Sequence, residues 1–264
     1  MRVVLAGVAG GIGSRVAGRL AERGHSVVGL DRRETDLPDG VETHVLDLTD
    51  ETAVREVVAG QTVDAVVTAA GWYEVAALED CPPAVFRRHI EANLLTAHTV
   101  VHAGLPAVRR QQGRFVFVGS TVGSVGLPYH GAYSAAKSGL HGYADALRRE
   151  LAPRDVDVAL VEPGPTRTGL NERAAEAADA EEGESPYRPA YEQFRGYSPQ
   201  SVEPSAVVDT VVEAVTAERP RPRYRVGQRA RWLPRLAGLL PTRLFDRIVR
   251  AGLPGGVLGR LIDR

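Results

Sequence analysis

The chain has 264 residues, 44% of them apolar, a formal net charge of −1 and a single cysteine, Cys81. This is enough for one substantial core with an appendage, and it leaves no room for a second full domain. The near-neutral balance excludes a global field for nucleic acid, and one cysteine excludes an intrachain disulfide or a thiolate zinc site, so no metal is expected.

Met1 runs directly into a β-branched apolar stretch at residues 3–6, with no charged leader, and no apolar run of about 18 residues follows anywhere. A cytoplasmic protein is the expectation. The first stretch reads as a buried strand and ends in Gly7-Val8-Ala9-Gly10-Gly11-Ile12-Gly13, which opens a helix at residues 15–23. Gly7, Gly11 and Gly13 let the backbone turn tightly and approach a pyrophosphate at the helix N-terminus, where free N–H groups and the dipole favour an anion. A second strand at 26–30 ends on Asp31, whose carboxylate is placed to accept hydrogen bonds from an adenosine ribose. That favours NAD, because a 2′-phosphate would meet a negative charge. Arg32 and Arg33 follow at once, and either is able to swing onto such a phosphate, so NADP stays open.

Further strands are expected at 43–46, 65–68, 114–118 and 157–161, all read as buried, with helices at 51–59, 84–111 and 132–152 between them. Alternating strand and helix predict an α/β fold, a doubly wound Rossmann-type parallel sheet with helices on both faces, its ligand crevice at the carboxyl ends of the strands. Residues 171–200, rich first in Ala, Glu and Asp and then in Gly, Pro and Tyr, read as a lid or loop. A helix at 204–217 with Pro in its first turn leads to a last strand at 224–226. The division expected is a catalytic domain over residues 1–230 and a C-terminal helical extension over 231–264, an amphipathic pair broken at Pro241. Seven arginines and no acid lie between Arg219 and Arg235. Packing on the body or on another subunit, a pocket lid, and contact with an anionic membrane are the three readings of that run.

Lys137, the one lysine of the chain, stands four residues after Tyr133. At helical spacing the two share a face, and an ammonium beside the phenol oxygen stabilises phenolate and lowers the tyrosine pKa from about 10.

Together these motifs resemble the short-chain dehydrogenase/reductase family in its compact form: the glycine loop, Asn93, Ser120, Tyr133-x-x-x-Lys137, and Pro163-Gly164 followed by Thr168, in the same order and spacing. The resemblance implies an NAD(P)-dependent oxidoreductase that interconverts a secondary alcohol and a ketone. By the same resemblance Tyr133 is the general acid or base, Ser120 orients the substrate oxygen, Lys137 holds the nicotinamide ribose, and Asn93 bends the helix at 84–111 and holds a water that relays protons. Pro163, Gly164, Thr166 and Thr168 lie against the nicotinamide, and Asp47 and Leu48 against the adenine, with a helix N-cap as the rival role for Asp47. Thr68-Ala69-Ala70-Gly71 stands where the family usually has Asn-Asn-Ala-Gly, so Ala70 and Gly71 keep the close packing while the asparagine bonds are lost. Family members with a similar extension act on steroid-like or retinoid-like alcohols, which makes a hydrophobic substrate plausible, and a homodimer or homotetramer is the usual assembly. The alternatives are a dinucleotide-binding sensor without turnover, disfavoured by the Tyr and Lys pair, and a sugar-nucleotide epimerase or dehydratase, for whose larger C-terminal domain the chain is short.

Overall fold

The structure is a computed structural model that describes residues 1–166, 185–194 and 202–253. Among these residues seven strands form one parallel sheet: β1 (Arg2–Ala6), β2 (Ser26–Asp31), β3 (Val41–Val45), β4 (Ala65–Thr68), β5 (Arg114–Val118), β6 (Asp157–Pro163) and β7 (Arg223–Val226). Their order is β3-β2-β1-β4-β5-β6-β7, so the winding reverses between β1 and β4 and opens a crevice there.

Side chains alternate across each strand and fill two apolar layers. Val4, Ala6, Val66, Phe115 and Phe117 face one layer, beneath α2 (Glu51–Val58), α4 (Thr96–Arg110) and α5 (Gly131–Leu151). Val3, Leu5, Val67 and Val116 face the other, beneath α1 (Gly13–Glu22) and the later helix at Pro204–Thr216. With both faces covered, the central strands carry continuous apolar runs, and all six main strands read from sequence recur within two residues. The expected strand at 43–46 departs from this: β3 spans Val41–Val45 and is half-exposed or exposed throughout. It is an edge strand, paired with β2 alone.

The expected helix at 84–111 is interrupted at Asn93, as the resemblance implies, and is three pieces, α3 (Pro83–Ile90), a wide turn of π-helix at Glu91–Leu95, and α4. The buried Asn93 causes the break, because its Nδ2 donates to the His89 carbonyl at 3.0 Å and so competes for a ladder acceptor. Of the expected lid, residues 185–194 are described and include α6 (Arg188–Phe194); the rest of it lies outside the described residues. α7 (Pro204–Thr216) starts on its proline as read. The extension folds as α8 (Gln228–Leu239) and α9 (Thr242–Ala251) with Pro241 between them, and its residues 254–264 are outside the described set. No described helix is long and apolar enough to cross a membrane.

Candidate active site

The glycine loop joins β1 to α1 at the sheet's reversal point. Gly7 has φ +89°, and a Cβ there would overlap the Ala70 backbone nitrogen, while one at Gly13 would overlap the Gly7 carbonyl oxygen. Only glycine permits that approach, so the loop lies flush against the Ala69–Gly71 segment after β4. Gly11 and Ile12 complete the turn into α1. At the end of β2 the Asp31 carboxylate is buried and accepts from the backbone N–H of Ala9 at 3.0 Å and of Arg33 at 3.1 Å. The Arg33 guanidinium donates to the Ala9 carbonyl at 3.0 Å and lies 3.6 Å from Asp31, whereas Arg32 is exposed. A carboxylate oxygen accepts more than one bond, so Asp31 keeps acceptor capacity for ribose hydroxyls.

Asp47 folds onto its own loop, accepting from the Thr49 backbone N–H at 2.9 Å and from its hydroxyl at 2.8 Å, and these bonds hold its carboxyl below the usual range. The cap of α2 is Asp50, which accepts from Thr52 and Ala53, so the N-cap role does not fall to Asp47. Leu48 is buried in the apolar layer.

Tyr133 and Lys137 share the inner face of the first turns of α5, and the Lys137 Nζ is 5.7 Å from the centre of the Tyr133 ring. Lys137 donates to the Val118 carbonyl at 3.1 Å, which uses one of its three donors. Ser120, just beyond β5, caps the 3-10 turn Thr121–Gly123 and stands near enough to Tyr133 to pull its phenol pKa down. Asn93 donates to the Trp72 carbonyl at 2.7 Å as well as to His89, and its buried Oδ1 has no protein partner. A Cβ on Gly71 would sit 2.8 Å from that Oδ1 and 3.7 Å from the Lys137 Nζ, so the missing side chain keeps open a polar space between them. Pro163 and Gly164 end β6, and the Thr166 hydroxyl donates to the Gly164 carbonyl at 2.9 Å. Thr168 lies outside the described residues.

The electrostatics correct one expectation. Burial pushes the Tyr133 phenol up to about 12, against the downward pull of the Ser120 hydroxyl, and burial draws Lys137 down to about 8. In the ligand-free protein desolvation outweighs the ammonium, because the enclosure that makes a site selective also penalises phenolate.

The sequence points to residues 72–74, 121–130 and 171–200 as the segments that choose the substrate, but it does not show the aromatic wall they build, which causes this enclosure. The Tyr133 ring lies 4.8 Å from Tyr73, Tyr73 lies 5.4 Å from His130, and Phe194 on α6 reaches His130 at 5.9 Å and Tyr129 at 5.4 Å. The helix α6 is held over this wall by the Tyr191 hydroxyl, which donates to Asp80 at 2.5 Å and accepts from the Ala77 N–H at 2.9 Å. The aromatic clustering of Trp72, Tyr73, Tyr129 and Tyr133 was the available signal, but it does not say which rings meet. Glu162 was missed too, although it is the lone charge near the end of an apolar strand.

The sequence pattern of the family described as short chain dehydrogenase matches residues 1–179. Among relatives, an uncharacterized oxidoreductase YbbO of Escherichia coli strain K12 is 30% identical, over 94% of this chain and 93% of its own length. The 17-beta-hydroxysteroid dehydrogenase type 6 of Rattus norvegicus is 29% identical, over 92% of this chain and 86% of its own. Among solved structures, a short chain dehydrogenase from Burkholderia cenocepacia J2315 in complex with NADP aligns with a TM-score of 0.78 at 22% identity, over 94% of this chain and 96% of that one.

Proposed function

The chain belongs to the short-chain dehydrogenase family and is an NAD(P)-dependent dehydrogenase/reductase, and from that premise we propose that it interconverts a hydrophobic secondary alcohol and its ketone. The observation that carries the proposal is Tyr133 and Lys137 on one face of α5, the ammonium 5.7 Å from the ring centre, with Ser120 at the start of the neighbouring turn, at the carboxyl end of the sheet. Bound NAD(P) supplies or takes up the hydride. Ser120 orients the substrate oxygen and Tyr133 gives it a proton in reduction or removes one in oxidation. To exchange that proton near neutrality the phenol must fall several units from about 12, a task shared by the Lys137 charge and the cationic ring of the oxidised cofactor. Asn93, with its unpartnered buried Oδ1, holds a water between itself and Lys137.

The fit of the cofactor rests on the same geometry. The Gly7 to Gly13 cradle, with Gly11 and Ile12, takes the pyrophosphate at the N-terminus of α1. Asp31 takes the adenosine ribose, which supports NAD, and Arg33 already neutralises part of its charge. Asp47, Leu48, Ala70 and Gly71 line the adenosine side, Lys137 the nicotinamide ribose, and Pro163, Gly164, Thr166 and Thr168 the nicotinamide. A hydrophobic substrate is supported by the wall of Tyr73, Tyr129, His130 and Phe194 and by the hydroxysteroid named in the rat relative. In this reading residues 1–230 form the catalytic unit, 171–200 its lid and 231–264 an extension, in a cytoplasmic homodimer or homotetramer.

Thermal unfolding with NAD, NADP or neither tests the cofactor site, since a ligand of the native state alone at a hundredfold its Kd adds about 2.7 kcal/mol. We expect a larger rise with NAD, reduced in Lys137→Ala, and a preference shifted toward NADP in Asp31→Ala. No rise with either cofactor sinks the reading. Tyr133→Phe should then lower turnover of ketones by about 10²- to 10⁴-fold; a variant that keeps full output marks a sensor instead.

A further inference from the structure

β6 is apolar from Val158 to Val161 and then places Glu162, whose side chain is 0% exposed, just before the Pro163-Gly164 turn. A carboxylate in that position is tolerated only with partners. Arg223 meets it at 2.6 Å, Arg225 at 3.4 Å, and the Ser124 hydroxyl donates to it at 2.9 Å. Arg223 also reaches Asp145 of α5 at 2.7 Å. One buried charge therefore ties together β6, β7, the helix that carries Tyr133 and Lys137, and Ser124.

Ser124 directly follows the Thr121–Gly123 turn that Ser120 caps. The turn has three other side-chain ties: Thr121 donates to the Pro163 carbonyl and Ser138 to the Gly123 carbonyl, each at 2.9 Å and both between neutral groups, and the Ser124 hydroxyl lies 3.4 Å from the His141 Nδ1. The Ser124 bond to Glu162 ends on an ionised acceptor and is about twice as strong as a neutral one. We propose that Ser124 and Glu162 are positioning residues that hold this turn, and through it the Ser120 hydroxyl, in its place beside Tyr133. The proposal rests on the oxidoreductase reading above, in which Ser120 orients the substrate oxygen.

Misplacing a catalytic group by about 1 Å costs on the order of a hundredfold, so Ser124→Ala should lower kcat about ten- to a hundredfold. The thermal shift given by NAD(P) and the KM for the cofactor should stay near wild type, since among the described residues Ser124 hydrogen-bonds none that holds the cofactor, and the pyrophosphate and adenosine contacts hang on β1, α1 and β2, away from this cluster. A double-mutant cycle isolates the route: if Ser124 acts through Ser120, adding Ser124→Ala to Ser120→Ala costs little more. Glu162→Gln keeps an acceptor for Ser124 but deprives the half-buried Arg223 and Arg225 of a counter-charge and endangers the fold, so the test rests on Ser124. A kcat unchanged in Ser124→Ala, or losses that multiply in the double variant, overturns the positioning role while the oxidoreductase reading stands. A wild-type protein that binds NAD(P) yet turns over no ketone or alcohol overturns both.

Discussion

Lys137 carries its charge in a place that penalises it. It is 4% exposed, and burial draws its pKa from 10.5 down to about 8. Below pH 8 both folded and unfolded chains hold the proton, and the buried charge costs about 3 kcal/mol. Between pH 8 and 10.5 the unfolded chain still binds a proton that the folded one has released, so this group's contribution to stability rises with pH. Lys137→Met should therefore be more stable than wild type at pH 7 by up to that amount while losing activity. In denaturant titrations the gap between the two should narrow from pH 8 toward 9.5; a gap constant with pH contradicts the buried charge. The sequence pointed to this residue because it is the one lysine among 32 basic side chains. It did not disclose the direction of the Tyr133 shift, because desolvation comes from Tyr73 and Lys137's own enclosure, and enclosure is a property of the packed chain.

Among elements, legibility followed burial. The central strands were readable because two covered faces demand unbroken apolar runs, and β3 was displaced and misjudged as buried because an edge strand lacks that demand. The break between α3 and α4 was legible only through the resemblance, which implies a bend at Asn93; by itself a polar residue in a helix gives no sign that it will bond its own carbonyl ladder. Helices α3 and α5 hold two imidazoles without full partners: His89 on α3 has an unsatisfied Nδ1, and His141 on α5 an unsatisfied Nε2. Burial pushes both down to about 4 from 6.5. Between those values the unfolded chain binds protons that the folded one refuses, so stability falls as pH drops from 6.5 to 4. Each imidazole contributes a slope of up to about 1.4 kcal/mol per pH unit in that window. His141→Asn should remove one such share of the acid slope in the free energy of unfolding measured from pH 6.5 to 5; an unaltered slope would mean that His141 charges freely in the folded state.

At the scale of the molecule, the reversal of the sheet separates two duties. The β1–α1 cradle and Asp31 lie on one side of the crevice, and the chemistry of β5, α5 and β6 on the other. The extension belongs to the second side. α8 packs on β7 and on the Thr121–Gly123 turn, α9 packs on α8, and Ala230 of α8 is fully buried. The amphipathic pattern of residues 232–249 announced this helix pair, but it could not name the surface beneath, because the turn it meets lies about a hundred residues earlier in the chain. Since α8 braces the serine turn from outside while Glu162 anchors it from within, disturbing α8 should slow the chemistry before it weakens the cofactor. Ala230→Gln puts a larger polar side chain where no space exists, at a cost of about 1–3 kcal/mol. The expected result is a lower melting temperature and a lower kcat, with the thermal shift from NAD(P) preserved. If the shift collapses with kcat, the two sides of the crevice are one mechanical unit; if kcat is untouched, the extension braces β7 alone.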